Sequence, residues 1–282
     1  MSASPRVSVI IPCYNAEAFI RETIQSVLEQ TFTDFELIVL NDGSKDRSEA
    51  LIRAFPDPRV SLVNKRNTGV ADTRNQGIGI AKGEFVAFLD ADDLYGPENL
   101  AAKVTFLDQN PDFGLVHSEV YDLHTSGERH TRGLTGCQGS VLHPLLEFKT
   151  MVNSPSSVLV RKDLLSEVGG FDTRLSTSAD RDLWIRLAAK TKFGYLPDPL
   201  VTYRIHPGQM HHNIDAMESD LKEIYSKLRG KDYFASRSHY HQCRAHVERV
   251  IGASYFWHTR QYHKCAKHLI LSGVHGTLRF LY

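Results

Sequence analysis

Asp90, Asp92 and Asp93 crowd three carboxylates onto one short stretch, directly after the apolar run Phe85-Val86-Ala87-Phe88-Leu89. Carboxylates this close repel one another, and burial raises their pKa values further. A hard divalent cation relieves both costs. Mg²⁺ and Mn²⁺ take oxygen ligands and commonly bridge carboxylates to substrate phosphates. The plainer alternative is a solvated acidic loop. What else reaches the same place decides between them.

The apolar run is too short for a helix and suits a buried strand. The chain before it repeats that pattern. Residues 7–11 predict a strand that Pro12 stops. Residues 16–30 predict a helix, with Phe19, Ile20, Thr23, Ile24, Val27 and Leu28 at helical spacing. A second strand, 35–40, runs into Asn41-Asp42-Gly43-Ser44, and a helix over 46–55 follows. Residues 60–63 predict a third strand. Residues 69–81 predict a third helix, with Gly83 as its C-terminal stop. Strands alternating with helices argue for an α/β fold, a mostly parallel sheet with helices on both faces.

In such sheets ligands bind beyond the carboxyl ends of the strands. Tyr14-Asn15, Asp42-Gly43-Ser44 and the three acids all follow strands directly, so they are expected at one edge. Each has a plain alternative: Asn15 as a helix N-cap, Asp42-Gly43 as an ordinary turn. An acid beyond a parallel strand often accepts from a ribose hydroxyl or a base N–H, and Asp42 is the candidate for the base. The Arg74 guanidinium suits a phosphate or carboxylate. It is expected to reach the acidic edge or a diphosphate. No GxGxxG follows the first strand and no GxxxxGK[ST] occurs, which disfavours a dinucleotide cofactor and a P-loop.

Bulk properties narrow the class. The chain has 282 residues, zero formal net charge and a pI near 7.2, so global electrostatics do not call for nucleic acid. Cys13, Cys137, Cys243 and Cys265 are scattered, with no zinc spacing, as expected in a reducing compartment. No signal peptide and no membrane-length apolar run is evident. A cytoplasmic protein, or one at the inner face of the membrane, is expected.

Taken in order, Val7-Ser8-Val9-Ile10-Ile11-Pro12-Cys13-Tyr14-Asn15, Asn41-Asp42-Gly43-Ser44, Asn67-Thr68-Gly69-Val70-Ala71-Asp72-Thr73-Arg74-Asn75 and Leu89-Asp90-Ala91-Asp92-Asp93 resemble family 2 glycosyltransferases, inverting enzymes of the GT-A fold. The resemblance covers residues 5 to about 210. It implies a nucleotide-sugar donor, most often a UDP-sugar, and Mn²⁺ or Mg²⁺. Pro12, Tyr14, Asn15 and Glu17 would line the nucleotide pocket and Asp42 would bind the base. Arg74 and Asn67 would sit near base and diphosphate. Asp90-Ala91-Asp92 would be the family's DxD, with Asp92 as metal ligand and Asp93 an adjacent candidate.

The second half fits. Residues 113–120 predict a strand leading into a polar loop, 125–139, suited to acceptor contacts. Residues 156–161 predict a strand and 163–168 a short helix ended by Gly169-Gly170. In the resemblance, Gly169-Gly170-Phe171-Asp172 runs into the acceptor side. Leu183, Trp184 and Leu187 give the next helix an apolar face, with Asp180 in its first turn, where a carboxylate also suits the helix dipole. The family reads Glu-Asp-x-Asp here. This chain has Ala179 for the glutamate, Asp180 at the catalytic-base position, and Asp182 as local support. Tyr203-Arg204-Ile205-His206 resembles the family's Tyr-Arg-x-His, which makes His206 a metal-ligand candidate. Gly208 and its polar followers could form a lid.

Beyond Ile214 helical spacing returns, and from Leu221 onward Lys and Arg far outnumber acids, with Tyr255, Phe256, Trp257 and Tyr262 interleaved. A helical appendage with a solvated basic face is one reading; a surface for anionic lipid or a lipid-linked acceptor is the other. The expected organisation is a catalytic domain, 1–212, and a helical region, 213–282. The expected activity is metal-dependent inverting transfer of a hexosyl or N-acetylhexosaminyl group from a nucleotide sugar to a saccharide or lipid-linked acceptor hydroxyl. The rivals are a non-catalytic nucleotide-sugar-binding module and a sugar nucleotidyltransferase.

Overall fold

The structure, a computed structural model, describes residues 4–133, 136–206 and 213–278. Among these, one nine-stranded sheet organises the chain. Its strands are β1 (Val7–Cys13), β2 (Phe35–Asn41), β3 (Val60–Asn64), β4 (Phe85–Phe88), β5 (Leu94–Tyr95), β6 (Phe113–Leu123), β7 (Arg129–Thr131), β8 (Val158–Arg161) and β9 (Lys192–Arg204). They lie in the order β3-β2-β1-β4-β8-β6-β9-β5, with β7 on β6. The β3-β2-β1-β4 half is parallel throughout, as are β6 and β9; β8 and β5 run antiparallel to their neighbours.

The helices are α1 (Ile20–Leu28), α2 (Ser48–Arg53), α3 (Val70–Ile80), α4 (Asn99–Gln109), α5 (Leu142–Leu146), α6 (Lys162–Val168), α7 (Ala179–Ala188), α8 (Ile214–Leu228), α9 (Arg237–Ser254) and α10 (Tyr262–Leu278). The period-2 alternation of the strands sorts them into two layers. Val7, Val9, Ile11, Leu37, Val39, Phe85 and Ala87 bury against Ile20, Ile24 and Val27 of α1, Ile52 of α2 and Leu100 and Val104 of α4. Ile10, Ile38, Leu40, Val86 and Phe88 bury on the other face with α3, α7 and α8, and that core continues into Cys243, Val247 and Ile251 of α9.

Three local expectations are corrected. Pro12 does not stop β1, which stays paired with β2 through Cys13↔Asn41. The carbonyl of Ile10 accepts from Leu89 N on the β4 side, and that of Cys13 accepts from Asp42 N on the β2 side. Alternation therefore turns the nitrogen of Pro12 toward the β4 side, where pairing has already ended at Ile10↔Phe88, so no ladder bond is lost. Gly83 is not a left-handed helix stop, because α3 ends at Ala81 in an extended conformation. A Cβ on Gly83 would lie 2.6 Å from the backbone nitrogen of Ser8, and that close approach to β1 is what demands glycine. Finally, part of the 125–139 loop is ordered as β7, which forms a hairpin with β6. The lid expected from Gly208 onward lies outside the described residues.

Candidate active site

β1, β2 and β4 end at the same edge, and the loops beyond them interlock. Asn15 adopts a left-handed conformation (φ 49°), accepts from Lys45 N at 2.7 Å through Oδ1, and its own N–H donates to Ser44 Oγ at 3.0 Å. It caps no helix. Glu17 accepts from Arg47 N at 2.9 Å. Pro12 is buried beneath, whereas Tyr14 is half exposed.

Asp42 is 4% exposed and hydrogen-bonded within its own chain. Its Oδ1 accepts from Lys65 Nζ at 2.5 Å and Thr68 N at 2.9 Å, and Oδ2 accepts from Gly69 N at 3.0 Å. Lys65 also donates to Thr68 and Thr73. Asp42 therefore anchors the loop that presents the exposed Asn67, and it sets where α3 begins. Gly43 (φ +75°) is needed here, because a Cβ would stand 3.0 Å from Asn67 N.

One turn into α3, the buried Arg74 pairs with Asp90, and its guanidinium carbon lies 5.3 Å from the Phe171 ring centroid. Its Nε has no partner among the described residues. The acidic loop is held on three sides. Thr23 of α1 donates to Ala91 O at 2.8 Å, and Arg204 at the end of β9 donates to Asp92 O at 3.2 Å. Ser156 donates to Asp93 at 2.6 Å and accepts from Asp90 N at 3.1 Å.

The three acids then diverge. Asp92 Oδ2 lies 2.9 Å from His206 Nε2, and that ring packs 4.9 Å from Phe19. Burial and the neighbouring Asp90 push the Asp92 carboxyl up, and His206 opposes the shift. Asp93 is completely buried on Ser156 and on Arg204 N (3.2 Å), and burial with two acidic neighbours pushes its carboxyl well up. No group of three or more His, Cys, Asp or Glu side chains that could hold a metal gathers among the described residues.

Asp180 opens α7, partly exposed, with Oδ1 accepting from Arg181 N at 2.7 Å. Burial pushes its carboxyl up; Arg74 pulls it down and Asp90 adds a further push. Asp90, Arg74 and Asp180 are thus one electrostatic group, although 16 residues and then most of a domain separate them in sequence. Ala179, where a glutamate was expected, is buried in the core. Asp182 is fully buried between Arg186 Nη2 at 2.7 Å and Lys227 Nζ at 2.6 Å and is structural.

What fixes the start of α7 comes from α8. Asp220 Oδ2 accepts from the three consecutive backbone N–H groups of Ser176, Thr177 and Ser178 at 2.9, 2.7 and 2.9 Å. Lys227, two turns on, holds Asp182 and Asp172. A second clamp joins α3 to the turn before α7: Asn75 donates to Phe171 O and accepts from Phe171 N, both at 2.8 Å. A Cβ on Gly170 would stand 2.4 Å from Asn75 Oδ1. Lys65, Ser156, Asn75, Arg204 and Asp220 escaped sequence reasoning. Of these only Arg204 and Asn75 lie within motifs, and nothing in the sequence pairs Asp220 with residues 176–178.

A curled, mostly parallel sheet with an acidic loop beyond β4 and a carboxylate-tipped helix facing it is the architecture of a GT-A glycosyltransferase. Residues 8–169 match the family model "Glycosyl transferase family 2". The chain belongs to glycosyltransferase family 2. An uncharacterized glycosyltransferase of Rickettsia typhi is 31% identical over 216 residues, which are 73% of this chain and 66% of that one. In structure, the chain resembles residues 1–349 of S. aureus TarS in complex with UDP-GlcNAc (TM-score 0.70, 18% identity, 91% of this chain and 74% of that one). It also resembles the mannosyltransferase PcManGT of Pyrobaculum calidifontis in complex with GDP-Man and Mn²⁺ (TM-score 0.65, 19% identity, 98% and 88%). No described helix is long and apolar enough to cross a membrane.

Proposed function

We propose that this glycosyltransferase moves a sugar with inversion from a UDP-sugar to an acceptor hydroxyl of a glycan or lipid-linked saccharide. The observation that carries the reading is the electrostatic group of Asp180, Arg74 and Asp90 at the strand edge. Burial, with a further push from Asp90, holds the Asp180 carboxyl above its ordinary range against the pull of Arg74, as suits a general base. Asp180 takes the proton of the acceptor hydroxyl as that oxygen attacks the anomeric carbon. The nucleoside diphosphate leaves from the opposite face in one displacement, the same stereochemical logic as in inverting glycosidases.

Asp42 and Asn67 receive the base, with Pro12, Tyr14, Asn15 and Glu17 around the nucleoside. Arg74 neutralises Asp90, and its guanidinium would serve the diphosphate side. Asp92 and His206 would hold a Mn²⁺ or Mg²⁺. The donor set fits a cation that brings its remaining oxygens with the substrate phosphates, because such ions are commonly bound through one or two protein groups. When bound, the cation supplies charge neutralisation at the leaving diphosphate. Asp93 is left out of this set: it is sealed from solvent, and its part is to hold the loop.

Residues 1–212 would form the catalytic domain and 213–282 a helical region that braces α7. The four cysteines, all unpaired, suit the cytoplasm. A thermal-shift panel of nucleoside-diphosphate sugars with and without Mn²⁺ tests the reading, since a ligand that binds only the folded state raises Tm. A UDP-sugar should raise Tm in the presence of Mn²⁺, and that sugar should be transferred or slowly hydrolysed. Stabilisation without any turnover would mean a binding module. A requirement for a nucleoside triphosphate would mean a nucleotidyltransferase.

A further inference from the structure

The last helix is built inside out. α10 buries His268 and Ser272 against α9 and leaves Leu269, Ile270 and Val274 in solvent, with Ile270 69% exposed. His268 is drawn inward by Glu248, whose Oε2 lies 2.7 Å from Nδ1, and Ser272 Oγ donates to Ala245 O at 3.0 Å. The inner seam is therefore polar and anchored to α9, whereas the apolar outer stripe faces solvent. At helical spacing Tyr262, Ala266, Leu269, Ile270, Gly273, Val274 and Thr277 share that outer face.

At the corner leading into α10, a π-helical turn (Tyr255–Thr259) brings out Phe256 and Trp257, the latter 75% exposed. Phe256 contacts both Trp257 (4.9 Å between centroids) and Tyr262 (5.6 Å), so the aromatic corner continues into the stripe. Arg260 and Lys267 flank it, exposed. From Arg249 to Tyr282 the sequence contains no Asp or Glu. The acids nearest the flank belong to α8, where Asp215 pairs with Lys264 and Glu218 lies 3.8 Å from Lys267.

We propose that this corner and the outer face of α10 form a docking surface for an anionic lipid bilayer. Large apolar patches rimmed by polar groups mark interaction sites. An exposed Trp and Tyr beside Leu and Ile, with basic flanks, is the composition that settles at the headgroup boundary. Charge decides between a bilayer and a second copy of the chain. A two-fold contact would lay the face on itself and bring Arg260 and Lys267 near their own counterparts. Anionic headgroups neutralise them instead.

The test uses the full chain and needs no turnover, so its outcome is independent of the transfer reaction. Sedimentation with vesicles of equimolar phosphatidylglycerol and phosphatidylcholine is compared with vesicles of phosphatidylcholine alone. Each cation near an anionic surface is worth roughly fivefold in binding, so two should give a preference of about twenty-fivefold, falling with salt. Trp184 is buried and Trp257 exposed, so a vesicle-induced blue shift of tryptophan emission should vanish in Trp257→Phe. The pair Leu269→Glu and Ile270→Glu should lose at least tenfold in vesicle affinity, and the pair Arg260→Glu and Lys267→Glu should lose the phosphatidylglycerol preference, both with unchanged circular dichroism. No sedimentation with either vesicle overturns the proposal, as does equal binding to both. A dimer of the wild-type chain that the Leu269 and Ile270 changes dissolve overturns it too.

Discussion

The proposed nucleotide side and the proposed transfer side of the site are built on different electrostatic terms. Around Asp42 the chain answers its own charge: one ammonium and two backbone N–H groups meet the buried carboxylate. Around Asp92 and Asp180 it does so only in part: burial and Asp90 hold both carboxyls above their ordinary range against His206 and Arg74. A region satisfied by itself is a preformed socket that stabilises the fold. A region left in tension costs stability and is completed by a ligand. The same substitution, Asp to Asn, should therefore act in opposite directions on the two sides.

The largest effect is expected at the base. Asp180→Asn should lower kcat by about 10²–10⁴ and leave donor affinity within about twofold, measured by initial rates and by calorimetry with the UDP-sugar. Wild-type kcat should rise with pH through the elevated Asp180 pKa and fall away on the acid side above the ordinary aspartate value. Asp90→Asn should move that acid limb to lower pH, because it removes the like charge and leaves Arg74 free to favour the carboxylate. An unmoved limb would detach Asp90 from the base. Next in size, Asp92→Asn should abolish the Mn²⁺-dependent part of donor stabilisation. The Tm of the ligand-free protein should stay level or rise, which differential scanning calorimetry reads. Full wild-type turnover in excess chelator would remove the cation from the reaction.

Asp220→Ala should come third. It strips three backbone N–H groups of a charged acceptor, a loss of about 3 kcal/mol or more in stability. It should lower kcat further than it changes the donor KM. Equal effects on both would make Asp220 a brace with no special bearing on the base. The smallest effect is Asp42→Asn, which should destabilise the free protein by about 1–3 kcal/mol, opposite in sign to Asp92→Asn in the same denaturation assay.

The sequence announced the socket better than the tension. Short apolar runs ending in Asn, Asp or Gly made the first four strands and their shared edge readable, because period and punctuation are local signals. β9 was not readable: Pro197 and Pro199 interrupt it, and it keeps its pairing with β6 only through shifts of register. Pro12 misled because a missing N–H matters only where a partner strand is still present, which is a tertiary fact. Asp93 reads like its neighbours in sequence, but Ser156 and Arg204 bury it while Asp92 meets His206. The polar inner seam of α10 also defeats a hydrophobic-stripe reading, since Glu248, 20 residues before His268 in sequence, is what draws that ring inward.

The amide of Asn75 joins Phe171 as one peptide joins another across a ladder, accepting and donating at once. It stands beside Arg74 on the same helix, and Phe171 stands nine positions ahead of Asp180. That bond pair ties the helix of Arg74 to the segment that leads to Asp180. A donor that shifts α3 would shift that segment with it, through this one rivet.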